Sequence, residues 1–416
     1  MNEKVKWKLA FKNLEKQTKM NVLIFLQLAI LLLICMSCVS VFFSTYPNFR
    51  GVERLSQGDG ELLFAYGLID SSTGEIIQDS RMLEERLPGN HFISSYSIWG
   101  SARREGKPLD FTMKGYDQEI IDAYAPRMQE GRWLGTPKEG EILHAVVTSD
   151  AYGLKTGDRI QLYPEPYEEG MGVLEVEIQG VLSENTYLPG YNIVVGEDTD
   201  FRWAYTSIRK EYRDLPIFVI SRQELEMVKE YTGNPETAAQ ISDLVWRQEE
   251  PEMGDSQRKA QKDFMKLMGF EEMIDFPTLM DNSRRTLMEE NLQLLPVFFI
   301  ALFMVLLSEL STGSINARLQ MHRYGIYQLC GLRRAGCIGI HTRSSLFLAV
   351  LSLAAAWAAA WWMGNITVTT GGTVMYLDTP QIFTSATISL VNLLFASWIQ
   401  GRMIRKKSVS EILRYE

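Results

Sequence analysis

The sequence predicts a membrane protein with four transmembrane α-helices, one before and three after a large α+β extracytoplasmic domain with a helical stalk. Four segments of the 416-residue chain are almost free of charge, and each has the roughly 20 apolar residues that a helix needs to cross a bilayer. The long segment between the first two is polar and mixed. Lys and Arg are concentrated in the short segments that would lie on one side, as is typical of cytoplasmic segments.

The first apolar segment, residues 21–44, follows a lysine-rich stretch, as the apolar core of a signal peptide would. However, it is longer than the roughly 7–15 apolar residues of a signal peptide, and no small-residue cleavage site ends it. A lipoprotein-type cleavage at Cys38 conflicts with the apolar run that continues to Phe43. We therefore predict a retained transmembrane helix.

Residues 1–20 predict an amphipathic entry helix at the cytoplasmic membrane surface. Apolar side chains recur in it at helical spacing, with lysines at other positions: Trp7, Ala10, Phe11 and Leu14. A generic positive anchor explains the same pattern.

The distribution of Lys and Arg predicts the orientation. The N-terminal segment, the loop between the second and third apolar segments and the C-terminal tail are basic, whereas the last short connection has no Lys or Arg. Because short cytoplasmic segments are rich in these residues, both termini are predicted inside the cell membrane. The predicted ranges are cytoplasmic 1–20, 313–342 and 402–416, transmembrane 21–44, 291–312, 343–363 and 382–401, and extracytoplasmic 45–290 and 364–381.

The predicted extracytoplasmic domain, residues 45–290, has 26 Lys and Arg against 45 Asp and Glu, a net charge of −19. This charge argues against binding to nucleic acid, which needs a basic surface. The domain contains none of the four cysteines, and its length suffices for a hydrophobic core without disulfides. Short apolar or alternating runs predict strands at residues 62–69, 142–147, 159 onward, 174–178, 193–195 and 217–220.

Helices are predicted in the same domain from caps and from periodicity. Ser221-x-x-Glu224 is a capping box, and a second helix is expected from Asn234-Pro235 onward, with Ile241, Leu244 and Val245 on one face. The periodic segments 256–268 and 278–295 also predict helices. Because the last of these leads into the second span, we interpret it as a stalk.

Polar side chains near the spans are candidates for an intramembrane site. Glu309 lies at the inner end of the second span, where an acid is a functional candidate and equally suits a paired or snorkelling side chain. Ser385, Ser389 and Asn392 share one face of the fourth span. Such a stripe indicates either a polar path or hydrogen bonding between helices, and the second role is the commoner one.

Motifs of common enzymes are absent from the sequence. It has no G-x-x-x-x-G-K-[ST] phosphate loop, no H-E-x-x-H zinc motif and no G-x-S-x-G nucleophile elbow. His91 and His144 alone are too few for a typical zinc site in the outer domain. We therefore predict no catalytic residue, metal or cofactor.

Four local patterns follow one another along the chain in an order that resembles the FtsX/MacB-like family of ABC transporter permeases. They are L-A-x-x-N-L at 9–14, a G-R…G-D-x-I…G-V series at 131–181, G-I-x-x-x-x-G at 325–331 and the tail S-V-S-E-I-L-R-Y-E at 408–416. The series in the outer domain resembles the MacB-like periplasmic core. Arg323 replaces the acid, and Val409 the proline, that this family usually has.

The resemblance implies a permease subunit that works with a separate cytoplasmic ATPase and a second permease, identical or a paralogue, in membrane lipid. The loop 313–342 would dock on the ATPase as a coupling segment, with these residues at or near the contact: Arg323, Gly325, Ile326, Leu329, Gly331, Arg333 and Arg334. Arg333 and Arg334 equally suit simple topology determinants. The expected work is export, extraction or the handling of an antimicrobial peptide.

Two other classes of function remain open from the sequence. A membrane sensor or scaffold of the FtsX type would regulate a cell-wall enzyme without transport, although three C-terminal spans exceed what an anchor needs. A surface hydrolase would require a catalytic motif, and none is present. Co-purification of an ATPase discriminates between a permease and these alternatives.

Overall fold

The computed structural model describes residues 3–66, 68, 73–74, 77, 79–104, 107–135, 142–148, 153–163, 174–183, 186–190, 198–207, 217–232, 240–250, 254–268, 270–308, 310–311, 314–370 and 377–406. The chain divides into two compact units. Residues 1–43 and 290–416 form one, here called the helical unit, and residues 44–289 form the other, here called the sheet domain.

Within the described residues the α-helices are α1 (Glu3–Lys16), α2 (Thr18–Leu55), α3 (Ser80–Arg86), α4 (Gln118–Ala123), α5 (Arg222–Thr232), α6 (Asp255–Leu267), α7 (Phe276–Ser308), α8 (Ser314–Leu329), α9 (Arg334–Thr370) and α10 (Thr379–Lys406). The strands are β1 (Gly60–Tyr66), β2 (Asn90–Arg104), β3 (Lys107–Tyr116), β4 (Met128–Gly131), β5 (Leu143–Val147), β6 (Arg159–Tyr163), β7 (Leu174–Leu182), β8 (Tyr187–Pro189), β9 (Tyr205–Ser207), β10 (Ile217–Ser221), β11 (Gln240–Glu249) and β12 (Phe270–Asp275).

Four helices in the described part of the chain are long and apolar enough to cross a bilayer. They lie at Thr18–Leu55, Phe276–Met304, Arg334–Met363 and Thr379–Ile404. The four predicted apolar helices are thus confirmed as helices, while the number that span the membrane and the domain ranges remain predictions. One continuous helix, α7, includes both the predicted stalk and most of the second predicted span.

Ten strands of the sheet domain form one mixed sheet in the order β12-β1-β11-β2-β3-β10-β5-β7-β4, with β6 paired to β2 and β7. The pairs β3–β10 and β5–β7 are parallel, and the other neighbours are antiparallel. β8 and β9 form a separate antiparallel pair. A mixed sheet combined with helices confirms the predicted α+β class for this part of the chain.

Most local predictions for the sheet domain agree with these elements. Strands lie at the predicted apolar runs, although residues 193–195 lie outside the described residues. The capping box of α5 is confirmed: the Glu224 N–H donates to Ser221 Oγ (3.3 Å), and the Ser221 N–H donates to Glu224 Oε2 (3.2 Å). Both bonds satisfy N–H groups that the first turn of a helix leaves unpaired.

The helix predicted to contain Ile241, Leu244 and Val245 is wrong, because these residues belong to strand β11. β11 pairs with β1 on one side and β2 on the other, and both of its faces are buried. Ile241 and Val245 pack in one hydrophobic cluster, whereas Leu244 and Trp246 pack in another. A strand that is apolar on both faces gives a run that fits helical spacing equally well.

The two hydrophobic clusters lie on opposite faces of the sheet, because neighbouring residues of a strand point to opposite sides. Leu63 and Val245 belong to the first cluster together with residues of α5 and α6. The second contains Leu62 and Trp246. It also includes residues of the two long helices, namely Phe49, Val52 and Leu55 of α2 and Phe276, Leu279 and Met280 of α7. Both long helices therefore end or begin within the core of the sheet domain.

Candidate functional site

Helix α8 and the turn that follows it form the first and larger part of the predicted coupling segment. Gly331 ends the helix in the left-handed region, at φ +88°. The Leu332 N–H donates to the Tyr327 carbonyl (2.9 Å) and the Gly331 N–H to the Gln328 carbonyl (3.0 Å), which is a Schellman motif. Nothing lies within 4 Å of a Cβ placed on Gly331. The backbone conformation therefore explains why residue 331 is a glycine, since other residues are strained at this φ.

One face of α8 carries exposed apolar side chains, with the exposed His322 among them. At helical spacing it presents four side chains that are 43–67% exposed: Ile315, Leu319, Ile326 and Leu329. We call these four residues the α8 stripe. Of the predicted contact residues, Ile326 and Leu329 belong to this stripe, Arg333 and Arg334 are exposed just after it, and Gly325 is buried. The arrangement offers an apolar surface with arginines beside it.

The opposite face of α8 is polar and buried. Gln320 and Tyr324 are 1% and 0% exposed, and His341 of α9 is 2% exposed. The Tyr324 hydroxyl lies against Gln320 Oε1 and 3.3 Å from His341 Nδ1. This contact was not predicted from the sequence, although polar residues spaced i, i+4 on α8 could have indicated a buried polar face.

The entry helix α1 packs against α9 within the helical unit. Ser344 Oγ donates to the Ala10 carbonyl (3.3 Å), and the rings of Phe11 and Phe347 are in edge contact with centroids 5.0 Å apart. Arg343 pairs with Glu3. Arg323 of α8 reaches α1 as well, since its Nη1 lies 3.5 Å from Asn13 Oδ1. The predicted amphipathic helix is confirmed as a helix, and its buried side contacts protein.

The polar stripe of α10 faces the interior of the helical unit. Ser385, Ser389 and Asn392 are at most 7% exposed. The Trp357 indole N–H donates to Ser385 Oγ at 3.0 Å and so links α9 to α10. Gln381, one turn earlier, donates to Ser40 Oγ of α2 at 3.1 Å. These bonds fit a hydrogen-bonding role between helices for Ser385. Among the described residues, Ser389 Oγ and Asn392 Oδ1 are buried without a hydrogen-bond partner, so the role of those two residues stays a prediction. Glu309 lies outside the described residues.

Comparison with protein families gives a match in the C-terminal part of the chain. It covers most of the second predicted span, the predicted cytoplasmic loop 313–342 that contains α8, and all of the third and fourth predicted spans. Residues 296–409 match the model of the FtsX-like permease C-terminal domain. The chain carries an FtsX-like permease domain. The resemblance seen in the sequence is thereby confirmed, and the protein is a membrane protein. No curated protein sequence matches the chain.

Three solved structures are similar to about half of this chain. The extracellular domain of the noncanonic ABC-type transporter YknZ from Gram-positive bacteria is 14% identical, with 50% of this chain and 92% of that one covered and a TM-score of 0.27. The periplasmic region of MacB from Actinobacillus actinomycetemcomitans is 10% identical, with coverages of 55% and 94% and a TM-score of 0.29. A domain of a putative permease protein from Porphyromonas gingivalis is 9% identical, with coverages of 51% and 85% and a TM-score of 0.27. The family assignment rests on the C-terminal match.

A buried ion cluster lies at the sheet edge where α2 ends and α7 begins. Arg247 of β11 is 0% exposed, and its Nη2 donates to Glu61 Oε2 (3.0 Å) and to Glu249. Lys262 also pairs with Glu61, and Arg258 Nε lies 2.9 Å from Glu249 Oε2. A cavity of about 330 Å³ opens beside these side chains. Since the charges that line it pair mostly with one another, the cluster fits a structural role.

A second buried cluster surrounds Arg222, whose Nη1 donates to Asp117 Oδ1 (3.2 Å) and Ser80 Oγ (2.8 Å). Burial raises the pKa of Asp117 to about 6, against the opposing effects of the Ser94 N–H and the Arg222 charge. The pKa of Asp79 is lowered instead: burial alone would raise it, but the Arg81 N–H and the Arg222 charge outweigh burial. The two acids beside one arginine therefore differ in proton affinity.

The raised pKa of Asp117 predicts a pH-dependent stability. Because folding raises this pKa from 3.8, the folded state holds the proton more tightly, and the stabilisation is lost as the pH rises through about 6. Asp117→Asn removes the titration. Relative to wild type, we expect the variant's free energy of unfolding to rise by on the order of 2–3 kcal/mol between about pH 4 and pH 7. Urea unfolding at both pH values measures this, and an equal difference at both would contradict it.

Proposed function

We propose that this protein is the permease subunit of an ABC transporter and passes the motion of a separate cytoplasmic ATPase to its own extracytoplasmic domain. The observation that supports this most is the match of residues 296–409 to the FtsX-like permease domain. It includes α8, whose apolar stripe is exposed and available for a partner. In this proposal the chain itself hydrolyses no ATP.

The proposed topology follows the distribution of Lys and Arg. Both termini and residues 313–342 lie in the cytoplasm, and residues 45–290 and 364–381 lie outside. Trp361 and Trp362, which are 64% and 61% exposed near the end of the third apolar segment, suit an outer membrane interface. The protein is then a multi-pass protein of the cell membrane.

The long helices suit a mechanical role in this topology. α2 and α7 are single helices, and the parts of them that belong to the sheet domain pack in its second hydrophobic cluster. A displacement along either helix would therefore act directly on a packed core, which transmits strain because it is dense. We propose that this motion drives export, extraction or the handling of an antimicrobial peptide.

The proposed assembly is a dimer of permeases, identical or paralogous, in membrane lipid with cytoplasmic ATPase subunits. It is tested by purifying the tagged full-length protein in mild detergent and identifying the co-purifying proteins by mass spectrometry. Recovery of an ABC ATPase in stoichiometric amount supports the proposal. Recovery of a cell-wall enzyme or a kinase without an ATPase would overturn it and favour a sensor or scaffold.

A further inference from the structure

We propose that a chain of buried and partly buried hydrogen bonds links the coupling segment to α9 and to the turn before α2, with Tyr324 and His341 as its positioning residues. This hydrogen-bond chain joins α8, α9 and the turn between α1 and α2, and all of its residues lie in the helical unit. This inference rests on the proposed function, because it concerns how the motion of α8 reaches the rest of the protein.

The geometry allows every donor in the chain to point the same way. Ser345 Oγ lies 3.0 Å from His341 Nε2, and His341 Nδ1 lies 3.3 Å from the Tyr324 hydroxyl oxygen. The Tyr324 hydroxyl donates to Gln320 Oε1, and Gln320 Nε2 donates to Gln17 Oε1 at 3.2 Å. A neutral His341 with its proton on Nδ1 completes this order, since Nε2 then accepts from Ser345. Hydrogen bonds aligned in this way strengthen one another.

Because its central residues are buried, the hydrogen-bond chain is satisfied at only one position of α8 relative to its neighbours. Gln320, Tyr324 and His341 are at most 2% exposed. If α8 slid or rotated alone by one residue, these polar groups would lose their partners away from water, which is costly. The lower-energy response is that α8 moves together with the elements that it is bonded to.

Apolar contacts support the same connection. Met321 and Tyr324 of α8 pack with Cys337 of α9 and Ile404 of α10 in one small buried cluster. Hydrogen bonds and packing therefore tie α8 to α9, α10 and the start of α2. The stalk predicted at residues 278–295 offers one route for motion, through the second span. The contacts of α8 indicate that motion also enters α2.

Entry of motion into α2 has a consequence for the sheet domain. α2 is one helix from Thr18 to Leu55, and it begins one residue after Gln17, the last member of the chain. Its far end contributes Phe49, Val52 and Leu55 to the second hydrophobic cluster. A push on α8 would thus reach that cluster through α2 as well as through α7.

The test uses Tyr324→Phe, which removes the hydroxyl and keeps the ring, in the full permease–ATPase complex reconstituted in lipid nanodiscs. Two quantities are measured: the amount of ATPase bound, and the stimulation of ATP hydrolysis by the permease. We expect unchanged binding and a loss of stimulation of roughly fivefold, because one buried hydrogen bond is lost and the others are weakened. Tyr327→Phe is the matched control, since Tyr327 belongs to the same helix but not to the chain of hydrogen bonds.

A second pair of variants tests the role of the hydrogen bond itself. His341→Asn keeps a donor near the position of Nδ1, so the stimulation of ATP hydrolysis should be retained. His341→Leu has no donor there, and the stimulation should fall as it does in Tyr324→Phe. Unchanged stimulation in Tyr324→Phe would overturn the inference, and so would a loss of ATPase binding, which indicates a role in docking instead. If the wild-type permease binds no ATPase, the proposed function fails first, and this inference fails with it.

Discussion

Replacing Arg247 by Met is expected to destabilise the sheet domain by about 3 kcal/mol, the lower end of the range for breaking a buried ion pair. The guanidinium is 0% exposed and bonds to Glu61, Glu249, Asn90 and Gln261. Met fills a similar volume but leaves two carboxylates with fewer partners in a buried place. The loss stays near the lower end because Lys262 and Arg258 remain beside those carboxylates.

Urea unfolding of the full-length protein in detergent, followed by hydrogen exchange of β1, β11 and β12, measures this effect. Arg159→Met is the matched control: it makes the same substitution in the same domain, but the Arg159 side chain is 58% exposed. Its ion pair with Glu177 should contribute under about 1 kcal/mol, as exposed pairs do. Equal losses in the two variants would show that burial adds nothing to the importance of Arg247.

The position of Arg247 also shows which part of the fold the sequence could predict. Strands such as β7 and β10 were predictable because their patterns are local, with alternation in one and a short apolar run in the other. β11 was not, because it lies between β1 and β2 and both of its faces are buried in the two hydrophobic clusters, whose other residues are distant in the chain. Glu61, the partner of Arg247, is likewise far away in sequence and close only after the sheet forms.

The same distinction applies to the candidate coupling site. The segment was located from its charge and its glycines, and the structure gives Gly331 a local role, since it ends α8; its predicted contact with the ATPase stays a prediction. The face of α8 that stays exposed could not be predicted, because it depends on packing against α9 and α10. Tyr324 and His341 were missed for the same reason: they are on different helices, and only tertiary packing brings them together.

Leu329→Asp is expected to weaken ATPase binding by about 100-fold while the permease itself remains folded. Leu329 is 67% exposed, so a carboxylate there stays hydrated in the free permease, and its unfavourable place at the C-terminal end of α8 costs about 1 kcal/mol or less. If the α8 stripe docks on the ATPase, the same carboxylate must lose water against an apolar surface. A cost of about 3 kcal/mol for that burial corresponds to the 100-fold loss.

Leu267→Asp is the matched control for this experiment. It makes the same substitution on helix α6 of the sheet domain, where Leu267 is 69% exposed. Both variants are purified with the ATPase at several ATPase concentrations, and the bound fraction is measured. Wild-type affinity in Leu329→Asp would remove the α8 stripe as the docking surface and would leave Arg333 and Arg334 as the remaining predicted contacts.

Salt dependence separates these two kinds of contact further. An apolar interface between the α8 stripe and the ATPase should bind about equally at low and high ionic strength, because salt screens charges and leaves apolar burial intact. A contact made by Arg333 and Arg334 would weaken as salt rises. If wild-type binding is salt-insensitive and Leu329→Asp binding is weak at every salt concentration, the two arginines are better explained as topology determinants than as ATPase ligands.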